Sequence, residues 1–149
     1  MVCMDNELLV QSLINAKKEE NIKSIICCNE ISKKFGLRLS EKDAEELLIS
    51  RKEALIEEGR IEFNGGILEK LIYEFCDSPY IYQKNYLETL QGLQEAFYRF
   101  KNESLDELSD DELIQLMKKY FNEECMGDLE YLEGTFLDLY CRELRKGIY

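Results

Sequence analysis

The chain has 149 residues, of which 34% are charged and 45% hydrophobic, and its 31 acidic and 19 basic residues give a net charge of −12. This length suggests one domain, and the apolar fraction is too high for a disordered chain. Histidine is absent, which excludes histidine-dependent triads, cysteine–histidine dyads and nearly all mixed histidine zinc sites. The acidic balance argues against direct nucleic-acid binding, which requires a basic face.

The start of the chain and the cysteine content indicate a cytoplasmic protein. The first residues, MVCMDNELLV, lack the basic start and apolar run of a signal peptide. The most continuous apolar stretch, residues 25–28, is far shorter than the ~18–20 residues that cross a membrane. We therefore expect no membrane association and six reduced cysteines, most of them small core residues.

Helical periodicity predicts two N-terminal helices, over residues 5–19 and 22–35, although the four isoleucines of the second would also suit a strand. The clearest helix follows Ser40, an N-cap residue, and ends at Gly59. Residues 60–63 alternate polar and apolar side chains, which suits a short strand or an extended turn.

The second half of the chain predicts four more helices, over residues 67–76, 83–102, 109–121 and 127–147. Ser109 with Glu112 forms a capping-box pattern at the start of the third of these. The prediction is a compact all-α bundle of six to seven helices in one domain, 1–149. Residues 1–35 would supply N-terminal helices and residues 36–149 the main body, with at most a short strand near 60–63.

Negative charge is concentrated in residues 103–138, which hold twelve acids against two lysines, a net charge of −10. This run favours a solvated helix face, or alternatively a patch for a basic protein partner. The candidate partner-binding acids are Asp106, Glu107, Asp110 and Asp111. The run lacks the glycine of an EF-hand loop, so we expect no calcium site of that type and no other metal site.

Eight of the sixteen aromatic residues lie between residues 73 and 100. Phe97 and Phe100 are spaced as core residues of one helix. Tyr80 and Tyr82 flank the only proline and are the tyrosines most expected to be exposed, either as ordinary surface residues or as part of a protein-binding surface.

Arg51 is unusual because helical spacing places it on the apolar stripe of its helix. It must reach the surface or pair with an acid, for which Glu58 is the candidate. A weaker alternative is a small-ligand pocket formed by Arg51, Arg60 and Tyr73. The adjacent Cys27 and Cys28 invite a redox or metal role, but neighbouring side chains point in different directions and no C-x-x-C motif occurs.

Four segments resemble an uncharacterised domain-of-unknown-function family of Gram-positive, clostridial-type bacteria: GRIEFNGGILEKLIYEFCDSPYI (59–81), FYRFKNESLD (97–106), LSDDELIQLM (108–117) and YLEGTFLDL (131–139). The resemblance spans roughly residues 36–140. It implies a small helical protein of the bacterial cytosol, and it supplies no catalytic residues.

No nucleotide-binding, metalloprotease or hydrolase motif occurs, so we expect no cofactor, and an enzymatic function is not favoured. The leading hypothesis is an acidic interaction or regulatory protein that binds a protein partner through the acids and the tyrosine-rich turn. The alternatives are a ligand-binding protein or enzyme with a pocket near Arg51, and an acidic mimic of nucleic acid. The sequence leaves the oligomeric state undetermined.

Overall fold

The architecture of the protein, in its computed structural model, is built from helices. The structure describes residues 2–62 and 66–146, and for residues 2–7 and Phe136 it describes the backbone alone. In this part of the chain, eight α-helical segments follow one another: α1 (Val2–Cys27), α2 (Asn29–Ser32), α3 (Glu41–Glu57), α4 (Leu68–Phe75), α5 (Tyr86–Glu103), α6 (Asp110–Asn122), α7 (Leu129–Tyr131) and α8 (Asp138–Arg145). Within the described residues there is no strand, which confirms the all-α prediction.

The N-terminal prediction was wrong in its division of the chain. Residues 2–27 form one continuous helix, and only a short α2 and a 3-10 turn, Lys33–Phe35, follow before Gly36. The helix continues through residues 17–21, KKEEN, because this segment holds neither glycine nor proline and its lysines and glutamates favour a helix. Residues 60–62 are irregular rather than extended in a strand, and residue 63 lies outside the described part of the chain.

The predicted caps of α3 and α6 are confirmed. The Ser40 hydroxyl accepts a hydrogen bond from the backbone N–H of Asp43, and the Ser109 hydroxyl accepts one from that of Glu112. The carboxylate of each acid in turn accepts a hydrogen bond from the backbone N–H of its serine, so both helices begin with a complete capping box. These caps satisfy backbone donors that have no partner inside the helix.

The centre of the bundle is α5, which packs against α3, α4, α6 and α8. Phe97 and Phe100 are buried there, as predicted, in a core to which every long helix contributes. In contrast, among the side chains of α1 that are described, residues 8–20 are all exposed and the first buried residue is Ile25. We call residues 8–20 the arm.

The last helical region is interrupted. Asp128 caps α7 by accepting a hydrogen bond from the backbone of Tyr131, and residues Leu132–Leu137 then widen into a π-helical turn before α8. A π turn inserts an extra residue and rotates the side chains that follow. Cys141 on α8 lies buried against α5, with its Sγ 4.0 Å from the Phe100 carbonyl oxygen.

Candidate functional site

The four predicted partner-binding acids lie at the junction between α5 and α6. Asp106 and Glu107 are in the turn, where Asp106 has a positive φ of 58°, and Asp110 and Asp111 are in the first turn of α6. All four are accessible, with the Asp111 side chain 77% exposed. We call Asp106, Glu107, Asp110 and Asp111 the acidic patch. Its position next to the helix N-terminus is electrostatically favourable.

Three members of the acidic patch are already paired with basic residues of the same chain. Asp106 accepts a hydrogen bond from Arg60 Nη2 at 2.9 Å, and the pKa of Asp106 is lowered by this contact. Lys101 Nζ lies 2.8 Å from Asp110 Oδ1, and Lys70 Nζ lies 3.1 Å from Asp111 Oδ1. The patch is therefore less negative than its sequence suggests, because basic residues from distant segments compensate part of the charge.

An apolar cleft of about 500 Å³ adjoins the acidic patch. Its α6 wall is a stripe of residues three or four apart, with Tyr140 of α8 opposite. The lining residues are Leu108, Asp111, Glu112, Gln115, Leu116, Lys119 and Tyr140. Sequence reasoning missed this cleft, because the pairing of α6 with the last helix is a tertiary contact; the only signal was the stripe spacing on α6.

The tyrosine-rich turn lies at the other end of α6. Tyr82 is 59% exposed, as predicted, but Tyr80 is half-buried, which corrects the expectation for it. The Tyr80 ring packs edge-on against Phe121, with 6.5 Å between ring centroids. Phe121 is eleven residues from Asp110, so about 16 Å of helix separates this turn from the acidic patch. The two parts of the predicted surface do not form one site.

Arg51 pairs with Glu62, not with Glu58 as predicted. Arg51 Nε donates to Glu62 Oε1 at 2.7 Å and Nη2 donates to the Glu62 carbonyl at 3.3 Å; the side chains are 11% and 18% exposed. The buried Tyr98 hydroxyl also donates to Glu62 Oε1. Glu58 instead accepts hydrogen bonds from Asn102 Nδ2. Glu62 reaches Arg51 because α3 ends at Glu57 and the chain turns at Gly59.

The predicted ligand-binding residues are divided between two places. Arg51 and Arg60 line a groove between α1 and α3, of about 500 Å³, with Glu62 at its end. Tyr73 lies elsewhere, on α4, where a hydrogen bond with Cys28 raises its pKa to about 12. Both arginines are engaged by acids of this chain, so an anionic ligand would have to compete with Glu62 and with Asp106.

Cys27 is exposed and Cys28 is buried, which confirms that the adjacent thiols face different surroundings. Burial raises the pKa of the Cys28 thiol, and burial together with neighbouring Asp77 raises that of Cys76. Neither thiol is therefore activated as a nucleophile. Among the described residues, no three potential ligands are grouped so that they could hold a metal ion.

A second acidic cluster, which the sequence did not reveal, lies where α3, α5 and the π turn meet. Glu57, Glu58, Glu95 and Glu133 surround Arg99 in a pocket of about 160 Å³. Burial raises the pKa values of Glu95 and Glu133, and nearby glutamates raise them further. One guanidinium does not compensate four carboxyl groups, so this cluster is a source of repulsion within the fold.

The fold and these surfaces define an all-helical domain with an acidic face and two apolar grooves. None of its helices, as far as the structure describes them, is both long and apolar enough to cross a bilayer. The chain belongs to a family of unknown function, DUF6323, whose profile matches residues 24–149. No curated protein and no solved structure matches the chain.

Proposed function

We propose that this protein is a non-enzymatic interaction module that binds a basic, amphipathic segment of a protein partner. The observation that carries the proposal is the cleft between α6 and α8, where apolar residues lie directly beside the acidic patch. A segment with apolar residues on one side and lysines or arginines along its edge would match both features. The apolar contacts would supply affinity, and the acids would supply orientation and rate of association.

The proposed binding mode assigns unequal roles to the predicted residues. Glu107 and Asp111 are the acids that we expect a partner to contact, since Glu107 is exposed and the Asp111 side chain stays 77% exposed although Lys70 pairs with it; Asp106 and Asp110 also serve the fold through Arg60 and Lys101. Tyr82 lies in the turn before α5, beside the far end of α6, and is too distant from the acidic patch to share the contact with a short segment. It would take part only if the partner also covered the far end of α6.

The mimicry alternative has less support. A nucleic-acid mimic needs acids that are free to replace phosphates, whereas Arg60, Lys101 and Lys70 occupy three of the four. The small-ligand alternative is supported by the groove that contains Arg51 and Arg60, and their engagement with acids of the chain weighs against it.

We propose the cytosol of a Gram-positive bacterium as the setting. The five described cysteines are all free thiols, which is typical of a reducing compartment. The segment resemblance noted above adds the bacterial origin. Both statements are open to direct test by localisation of the tagged protein in its native cell.

The test is a pull-down of the tagged protein from its own lysate, in buffers of increasing salt, read by mass spectrometry. We expect one stoichiometric partner with a basic segment, whose recovery falls as salt rises. Gln115→Arg places a cation in the middle of the cleft at an exposed position and should abolish recovery.

A charge-matched pair of variants separates the acidic face from overall charge. Glu107→Gln with Asp111→Asn should weaken partner recovery, because both acids lie on the proposed face. Glu46→Gln with Glu53→Gln removes the same number of charges from α3 and should leave partner recovery unchanged. Equal recovery for both double variants, or retention of the partner by Gln115→Arg, would refute the proposed binding mode.

A further inference from the structure

The arm of α1 exposes an unusual amount of apolar side chain. All of residues 8–20 are exposed, and Leu13 is 64% exposed although it is a large apolar residue. The other large apolar residues on the arm that are exposed are Leu8, Leu9, Val10 and Ile14. A contiguous apolar surface of this kind on a folded protein marks an interaction site.

Residues 9–16 of the arm have one apolar face, although α1 as a whole does not separate apolar from polar side chains and Leu8 lies on the polar side. At 100° per residue, Leu9, Val10, Leu13 and Ile14 share one face of the helix, and Gln11 and Asn15 lie on the other, hydrogen-bonded to each other. Residues 8–16 contain no charged residue. The apolar face can therefore enter a groove without burying a charge.

The groove between α1 and α3 continues this apolar face. Ile14 belongs to both, and Leu48, Leu55, Ile56 and Ile61 complete the apolar lining. Ile61 is 84% exposed, so the lining is open to contact. The rim carries five cations and one acid, and four of the five cations are already paired with acids of this chain. The cations are Lys17, Lys18, Arg51, Lys52 and Arg60.

We propose that the arm and the groove form an interface between two copies of this chain. A two-fold axis near Ile14 would place residues 8–13 of each arm in the groove of the other copy. Each chain then supplies one protruding helix and one groove, which is the self-complementarity that a closed dimer requires. Both grooves and both apolar faces are covered at once.

The dimensions agree with this arrangement. The α1 side of the groove runs from Ile14 to Asn21, seven residues or about 10 Å of helix. The inserted part of the arm runs back from Ile14 to Leu8, six residues or about 9 Å. An antiparallel partner arm therefore fills the groove over nearly its whole length.

The charge distribution favours a second copy at this face. Residues 1–60 carry a net charge of −2 and residues 61–149 carry −10, so contact through α1 and α3 involves the less acidic part of each chain. The dimer does not depend on the function proposed above: the acidic patch lies at the α5–α6 junction and meets the groove rim through the Arg60–Asp106 pair, whereas the arm belongs to α1.

Sedimentation equilibrium of the full chain over a range of concentrations tests the proposal. We expect a mass twice the 17.6 kDa of one chain, with no loss of association as salt rises, since salt screens the repulsion between two acidic chains. Leu13→Lys on the arm and Ile56→Lys in the groove should each give a monomer. Leu139→Lys makes the same change at an exposed leucine on α8 and should leave the dimer intact.

Circular dichroism of each variant verifies that the helices remain, and Leu9→Lys replaces Leu13→Lys if the latter does not fold. At millimolar protein concentration even a dimer with a Kd of about 1 mM would be detected. If the wild-type protein is still a monomer there, the proposal is overturned, and the arm binds something other than a second copy. Equal dissociation by Leu139→Lys would also overturn it, because the contact would then lie elsewhere.

Discussion

The link between Arg51 and Glu62 allows a quantitative test of what the partly buried charges contribute. Arg51→Met keeps a side chain of similar length but removes the cation, which leaves the Glu62 carboxylate with the Tyr98 hydroxyl as its remaining side-chain donor. Removing one partner of a buried ion pair costs about 3–5 kcal/mol. Glu62 is 18% exposed and keeps one hydrogen bond, so we expect a smaller loss of about 2–3 kcal/mol.

The assay is a double-mutant cycle measured by urea unfolding, followed by far-UV circular dichroism at pH 7 and one protein concentration. Glu62→Gln alone should cost about 1–2 kcal/mol, because the Arg51 guanidinium loses its counter-ion. The double variant should cost less than the sum, with a coupling energy of about 1–3 kcal/mol.

An exposed ion pair provides the control. Arg142→Met on α8 removes a cation whose side chain is 61% exposed and pairs with Asp138, so the change should stay within about 0.5 kcal/mol of wild type. The reasoning is refuted if Arg51→Met unfolds at the wild-type urea midpoint. It is also refuted if the two single changes are strictly additive, since the pair would then carry no mutual stabilisation.

Three further changes test other parts of the fold by thermal or urea unfolding. Gly59 has φ +64° and an added Cβ would meet no atom within 4 Å, so Gly59→Ala should cost about 1–2 kcal/mol for the left-handed backbone alone. Gly127 has φ +82° and an added Cβ would lie 2.5 Å from the Tyr80 Cβ, so Gly127→Ala should destabilise the protein more. Equal losses for the two variants would contradict the close contact. The pKa of Glu95 is raised in the folded state, so its ionised carboxylate destabilises the fold at pH 7 and Glu95→Gln should raise the melting temperature. The gain should vanish at acidic pH, where the wild-type Glu95 is protonated. A gain that persists at acidic pH would show that the carboxylate charge is not its cause. Ser40→Ala should cost about 1 kcal/mol through loss of the α3 cap, whereas Ser12→Ala on the exposed arm should cost nothing, and equal effects would argue against capping.

Local signals explain why most of the helical architecture could be predicted. Ser40 and Ser109 lie three residues before an acid, and that spacing specifies a capping box through backbone contacts within a single turn. The division of the N-terminal region failed because a run of lysines and glutamates resembles a linker, while its helix propensity is high. Such a run is helical or not according to what precedes and follows it.

Residue spacing along the sequence could not predict contacts between side chains that are far apart in the chain. Arg60 reaches Asp106 across 46 residues, and Lys70 reaches Asp111 across 41, so the acids that looked like a free patch are partly compensated. The exposure of the arm is a similar case, because Leu9, Leu13 and Ile14 have the spacing of core residues, yet the structure leaves them exposed.

The sequence by itself determined the all-α class, the caps and the position of most helices, since these depend on interactions within a few residues. Only the tertiary structure decided which acid pairs with Arg51, how the patch is compensated and where the two apolar grooves open. Those features depend on which helix faces meet, and helix packing joins residues whose separation along the chain carries no periodic signal.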